Sequence, residues 1–150
     1  MGEPIEERMM AEWAAANLTP GTWTSHVDVG RPRELPASAL SEAQRSRLAK
    51  LLLPQADLVV RTPGSTEATI IEFVVWRPTE TLGQLLFYGS RLPLTPGYED
   101  LTAVHLRIVS GVEQAEFREM AEALGIGLEV YRPAWLLEAL AARTARHAPR

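Results

Sequence analysis

The sequence predicts an α/β fold: a single domain in which one mixed β-sheet is flanked by helices. Three observations predict it. Two strand-like runs flank a short turn in mid-chain, at Pro63-Gly64-Ser65-Thr66. The later strand-like runs alternate with helical ones. No internal repeat or low-complexity linker divides the 150 residues, a length that suits one hydrophobic core rather than two.

Each element has a local reason. Pro4 to Leu18 reads as a helix that offers Ile5, Met9, Met10, Trp13 and Leu18 for burial, and Thr19-Pro20-Gly21 ends it. Thr22 to Val29 alternates, with Trp23, Ser25, Val27 and Val29 on one face and Thr24, His26 and Asp28 on the other, which is a strand pattern. Gly30 to Pro36 is a loop rich in arginine and proline. Ser41 to Leu53 is a helix, because Ser41 and Gln44 have the spacing of a capping box. Ala56 to Thr62 and Ala68 to Trp76 are strands joined by the Pro63–Thr66 turn. Thr79 to Leu92 is a helix introduced by Arg77-Pro78. Ala103 to Val109 is a strand, Val112 to Leu124 a helix stopped at Gly125, and Leu128 to Tyr131 a short strand. Pro133 opens a last helix to about Arg143, and a small basic tail follows. The core is expected at about 41–131, with 1–40 as an extension and 132–150 as the closing helix and tail.

Composition narrows the function. Cysteine is absent, which excludes disulfides, cysteine nucleophiles and zinc-ribbon sites. No run approaches the roughly 20 apolar residues of a membrane span, and the acidic start does not read as a secretory signal. A cytoplasmic protein is expected, or a virion-associated one if phage-encoded. The net charge of −4 argues against duplex binding by the whole surface, because phosphate contacts favour a basic surplus. Any contact with nucleic acid has to be local. Lys50 is the only lysine and Asn17 the only asparagine, a bias that suits a thermophile or a high-GC genome.

The chemistry centres on the hairpin. If Pro63 to Thr66 form its loop, Asp57 lies directly across from Glu72, with Cβ atoms about 5 Å apart. Two like charges at that spacing repel unless something compensates. A divalent cation does so, since Mg²⁺ is commonly held by one or two carboxylates plus water and phosphate oxygens. On the following helix Gln84 and Tyr88 are spaced i, i+4 and share a face.

An aspartate in "QADLVV", a glutamate in "IIEFVV" and a Gln-x-x-x-Tyr helix in "GQLLFY" together resemble the PD-(D/E)xK nuclease superfamily, in its RecB-type branch. The resemblance covers roughly Ser41 to Tyr131. It implies a restriction-endonuclease-like core and Mg²⁺- or Mn²⁺-dependent hydrolysis of phosphodiester bonds in DNA. Asp57 and Glu72 would be the metal ligands, and Gln84 and Tyr88 would position phosphate or water. The family's lysine, two places after the glutamate, is Val74 here. Lys50 and Arg61 are the candidates to replace it; Arg77 has the opposite strand parity from Glu72 and ranks lower. Arginine stays protonated, so it is a poor base, yet it can stabilise charge.

Plainer readings stand beside these. Asp57 can cap the preceding turn, and Glu72 can form a half-buried ion pair with Arg61. Gln84 can face solvent, and Tyr88 can be a core aromatic with a satisfied hydroxyl. His26 and Asp28 could pair on a metal, but an exposed strand face explains them better. His105 reads as structural, and the three histidines lack zinc spacing. Trp76 shares the parity of Glu72 and suits either base stacking or a core or interface role. The alternative function is therefore a catalytically inactive assembly component, in a phage or mobile-element particle. It would use the same fold for contacts within a homo-oligomer or a larger complex, with the terminal helices as partner surfaces.

Overall fold

The computed structural model describes residues 4–35, 39–76 and 78–147. Pro36 and Arg77, both named above, lie outside the described residues, as does the end of the tail. The elements follow the expected order: α1 (Pro4–Asn17), β1 (Trp23–Asp28), α2 (Glu42–Leu51), β2 (Gln55–Val60), β3 (Glu67–Val74), α3 (Pro78–Arg91), β4 (Ala103–Ser110), α4 (Ala115–Ala123), β5 (Gly127–Val130) and α5 (Ala134–His147). A single turn of 3-10 helix at Leu92–Leu94 follows α3. Boundaries differ from expectation by a few residues at most. The largest difference is at α5, which runs to His147 rather than stopping near Arg143.

Local chemistry accounts for the ends. The capping box is present at α2: Ser41 accepts from the Gln44 N–H, and the Gln44 side chain accepts from the Ser41 N–H. Gly125 takes φ +69 just past α4, where a side chain would be strained.

The five strands form one mixed sheet in sequential order β1-β2-β3-β4-β5. β2 is antiparallel to both β1 and β3, while β3, β4 and β5 run parallel. Right-handed crossovers through α3 and α4 in the same direction along the sheet place both helices on one face. That face buries Ile70, Val74, Leu82, Leu85, Ile108 and Phe117. Helices α1 and α5 cover the other face, where Met9, Trp13, Leu58, Ile71, Phe73 and Leu136 are buried. Trp13 meets Phe73 edge to face, with centroids 5.6 Å apart, and its indole N–H donates to Glu129.

Of the two terminal helices expected as partner surfaces, α1 is committed to its own sheet through Met9, Met10, Trp13 and Ala14, while α5 buries only Leu136 and leaves most of its length exposed. Arg8 lies 4.0 Å from the centroid of the Trp135 ring, and the Trp135 indole donates to Glu12. Helix α2 likewise buries only one residue, Ala49. Among the described residues, no helix is long and apolar enough to cross a membrane.

Candidate functional site

The hairpin register places Leu58 opposite Ile71 and Val59 opposite Ile70. Asp57 and Glu72 are the next pair along, as the four-residue turn predicts. At this pair the regular ladder stops and side chains take over. The Asp57 backbone N–H donates to Glu72 Oε1 at 2.9 Å, and the Phe73 N–H donates to Asp57 Oδ2 at 2.9 Å. Each carboxyl group thereby satisfies an amide of the opposite strand where the strands part.

Burial and proximity dominate the electrostatics. Glu72 is only 6% exposed. Burial first, and then the Asp57 charge, push its carboxyl up to about 9. Burial also raises Asp57, against the lowering effect of the Phe73 N–H. The side chains are hydrogen-bonded to each other in the sense that favours the proton on Glu72. At neutral pH Glu72 therefore keeps its proton, which it shares with Asp57. Tyr88 is pushed up to about 12 by burial and by the two acids, so its hydroxyl is a neutral donor.

The pair lies in an open cleft of about 670 Å³. This cleft is at the strand where sheet direction changes, since β3 is antiparallel to β2 and parallel to β4. Gln84 and Tyr88 both line it: the helical spacing seen in the sequence delivers them to the acids. Tyr88 is buried and Gln84 is exposed at the rim. The structure thus brings together Asp57, Glu72, Gln84 and Tyr88.

It does not bring the two candidate cations there. Arg61 sits toward the other end of β2, where its guanidinium donates to the Ser65 and Gly97 carbonyls and pairs with Asp100 at 2.6 Å. It neither replaces a lysine at the acids nor forms the ion pair with Glu72 that the plainer reading expected. Lys50 is exposed on α2 and lines a different concavity, with Arg33, Arg45 and Glu42. Val74 borders the cleft but is only 3% exposed and belongs to the apolar core.

Sequence reasoning missed Glu6 and Arg143 and set His26 aside. Glu6, from α1, lines the cleft, and its carboxylate accepts from the Val75 N–H at 3.0 Å. His26 also lines it, next to Asp57 in the β1–β2 register. His26 adopts φ 53, a left-handed conformation unusual for a residue with a side chain, and its Nε2 lies 3.3 Å from Glu7. The strand-face explanation holds for both: Asp28 accepts from Gln55, and His26 is exposed on β1 while its side chain also borders the cleft. Arg143, from α5, reaches the cleft over the Trp76 ring, 4.6 Å from its centroid. Periodicity carries no signal for any of these, because each arrives through packing of remote elements.

Among the described residues no group of three or more histidine, aspartate or glutamate side chains converges to enclose a metal. The carboxylate pair still suits a hard cation that keeps much of its water, since such an ion needs only one or two carboxylates. A cation between the carboxyls would also offset the cost of burying them and the Asp57 charge felt by Glu72. No family model matches the chain, and no curated protein or solved structure matches it either.

Proposed function

We propose that the acidic cleft is a divalent-cation-dependent phosphodiesterase site, cutting DNA or RNA in the manner of PD-(D/E)xK-like nucleases. The carrying observation is the Asp57–Glu72 pair: two coupled carboxyls, hydrogen-bonded across the strands, in an open cleft that also receives Gln84 and Tyr88. Asp57 and Glu72 would hold the ion, which when bound supplies charge neutralisation at phosphate and an acidified water. The neutral Tyr88 hydroxyl and the Gln84 amide can donate to a phosphate oxygen or orient water. Arg143, fixed on Trp76, adds positive charge at the mouth, where a phosphate would approach.

The test is cleavage of labelled single- and double-stranded DNA and RNA with Mg²⁺ or Mn²⁺, in wild type and Glu72→Gln. Glutamine is the better probe than alanine because it keeps an acceptor for the Asp57 N–H. Metal-dependent cutting that disappears in the variant supports the reading. No cutting of any form with either metal overturns it.

One observation favours the second reading, a nuclease-like scaffold without activity in an assembly. Val74 occupies the lysine position and is sealed into the core, so no cation stands beside Glu72 on its own strand.

A further inference from the structure

One turn along α3 from Gln84 and Tyr88 the surface changes character. Phe87 and Arg91 line a second concavity, of about 340 Å³, with an apolar floor that includes Leu52, Leu53 and Pro54. Phe87 is 46% exposed, and the Arg91 guanidinium lies 5.4 Å from its ring centroid. Arg31 and Arg33 complete the rim. Arg31 is held in place by Glu99 at 2.7 Å and by the Leu94 carbonyl.

The two hollows adjoin. Phe87 packs edge to face on Tyr88, which lines the acidic cleft. Pro54 lines the arginine pocket, and the next residue, Gln55, lines the cleft. Basic residues outnumber acids around this pocket and the hollow beside it, where Glu34, Glu42 and Glu99 are the acids. Arg31, Arg33, Arg45, Arg47, Lys50 and Arg91 all come from the loop after β1, from α2 and from the end of α3. They are six of the fifteen basic residues of a chain whose net charge is −4.

We propose that this pocket is a subsite for a nucleotide flanking the scissile bond, and that the substrate is single-stranded nucleic acid. The proposal rests on the hydrolytic reading of the adjoining cleft. An exposed aromatic ring over an apolar floor fits the π-face of any base. Guanidinium groups at the rim fit its phosphates, and the neighbouring acids and their cation take the next phosphate along. A base inside a duplex is already stacked on both faces, so Phe87 can receive only an unpaired one.

The experiment is fluorescence anisotropy with a labelled DNA hexanucleotide in metal-free buffer, for wild type, Phe87→Ala, Arg91→Gln and the control Arg118→Gln. Unchanged melting temperatures confirm that the surface variants fold. The expected result is that Phe87→Ala and Arg91→Gln each weaken binding roughly tenfold, within the range for loss of one stacked base. Arg118→Gln, on α4 and outside both hollows, should bind as well as wild type, and a duplex of the same sequence should bind at least tenfold more weakly. No binding by wild type, equal binding by Phe87→Ala, or tighter binding of the duplex overturns the proposal. An acidic peptide of equal charge that competes as well as the oligonucleotide also overturns it. Phe87-dependent binding without cleavage by wild type sinks hydrolysis alone and leaves the pocket standing. Cleavage that is indifferent to Phe87 sinks the pocket alone.

Discussion

Asp57 and Glu72 face each other across β2 and β3 and close the ladder with their side chains. The Asp57 N–H donates to the Glu72 carboxyl, and the N–H of the residue after Glu72 donates to the Asp57 carboxyl. The pair is at once a structural clasp and an acidic site. Removing one acid outright strands a buried amide, at a cost of about 1–3 kcal/mol. Changes that preserve the acceptor separate the two roles.

The first prediction concerns pH. The folded-state value for Glu72, about 9, lies above its ordinary 4.5, and Asp57 is raised as well. The folded protein therefore holds a proton that the unfolded chain gives up. The associated stability is complete below about pH 4.5 and is lost as pH rises toward 9. Metal-free wild type should show a melting temperature that falls across this window. Glu72→Gln should flatten the profile and be the more stable protein at its alkaline end. A wild-type melting temperature that climbs with pH would contradict the assignment.

Metal binding should release protons. At neutral pH the incoming ion has to displace the proton shared by the acids. Calorimetric titration with Mn²⁺ in two buffers of different ionisation enthalpy should give apparent heats that differ by about one proton per ion. Affinity should rise steeply with pH and collapse in Glu72→Gln. Tight binding with no buffer dependence would mean that the ion sits elsewhere.

Arg143 should matter for turnover and not for the metal. Arg143→Gln is expected to lower cleavage by roughly 100-fold, the scale for losing one preorganised charge-stabilising group. Its Mn²⁺ affinity should hold or increase, because a positive charge has left the cleft. Loss of metal affinity together with cleavage would assign Arg143 a structural role instead.

Trp13 tests the opposite face of the sheet. It is 1% exposed, packs on Phe73 and hydrogen-bonds Glu129. Trp13→Ala should cost about 3–5 kcal/mol, which lowers the melting temperature by on the order of 10 °C. Urea denaturation followed by circular dichroism measures it. Trp13 does not line the Asp57–Glu72 cleft, so Mn²⁺ affinity at temperatures where the variant is folded should stay near wild type.

What the sequence by itself determined is what depends on neighbours along the chain. Alternation marked β1, apolar runs on either side of a turn marked β2 and β3, the Ser41–Gln44 box started α2, and Gly125 closed α4. A four-residue turn set the hairpin register, which fixed Asp57 opposite Glu72 because strand pairing advances one residue at a time. The i, i+4 spacing put Gln84 and Tyr88 on one helix face. Tertiary structure decided the rest. Arg61 shares strand parity with Asp57, but parity fixes a face and not a position along it, and the loop around Gly97 and Asp100 captured its guanidinium instead. Glu6, His26 and Arg143 entered the cleft only because α1, β1 and α5 converge there. Phe87 and Arg91 met the arginine loop only because the end of α3, the end of α2 and the loop after β1 enclose one pocket. Those juxtapositions are set by burial of apolar faces over long sequence separations, and local periodicity carries no record of which remote side chain a packed helix will bring along.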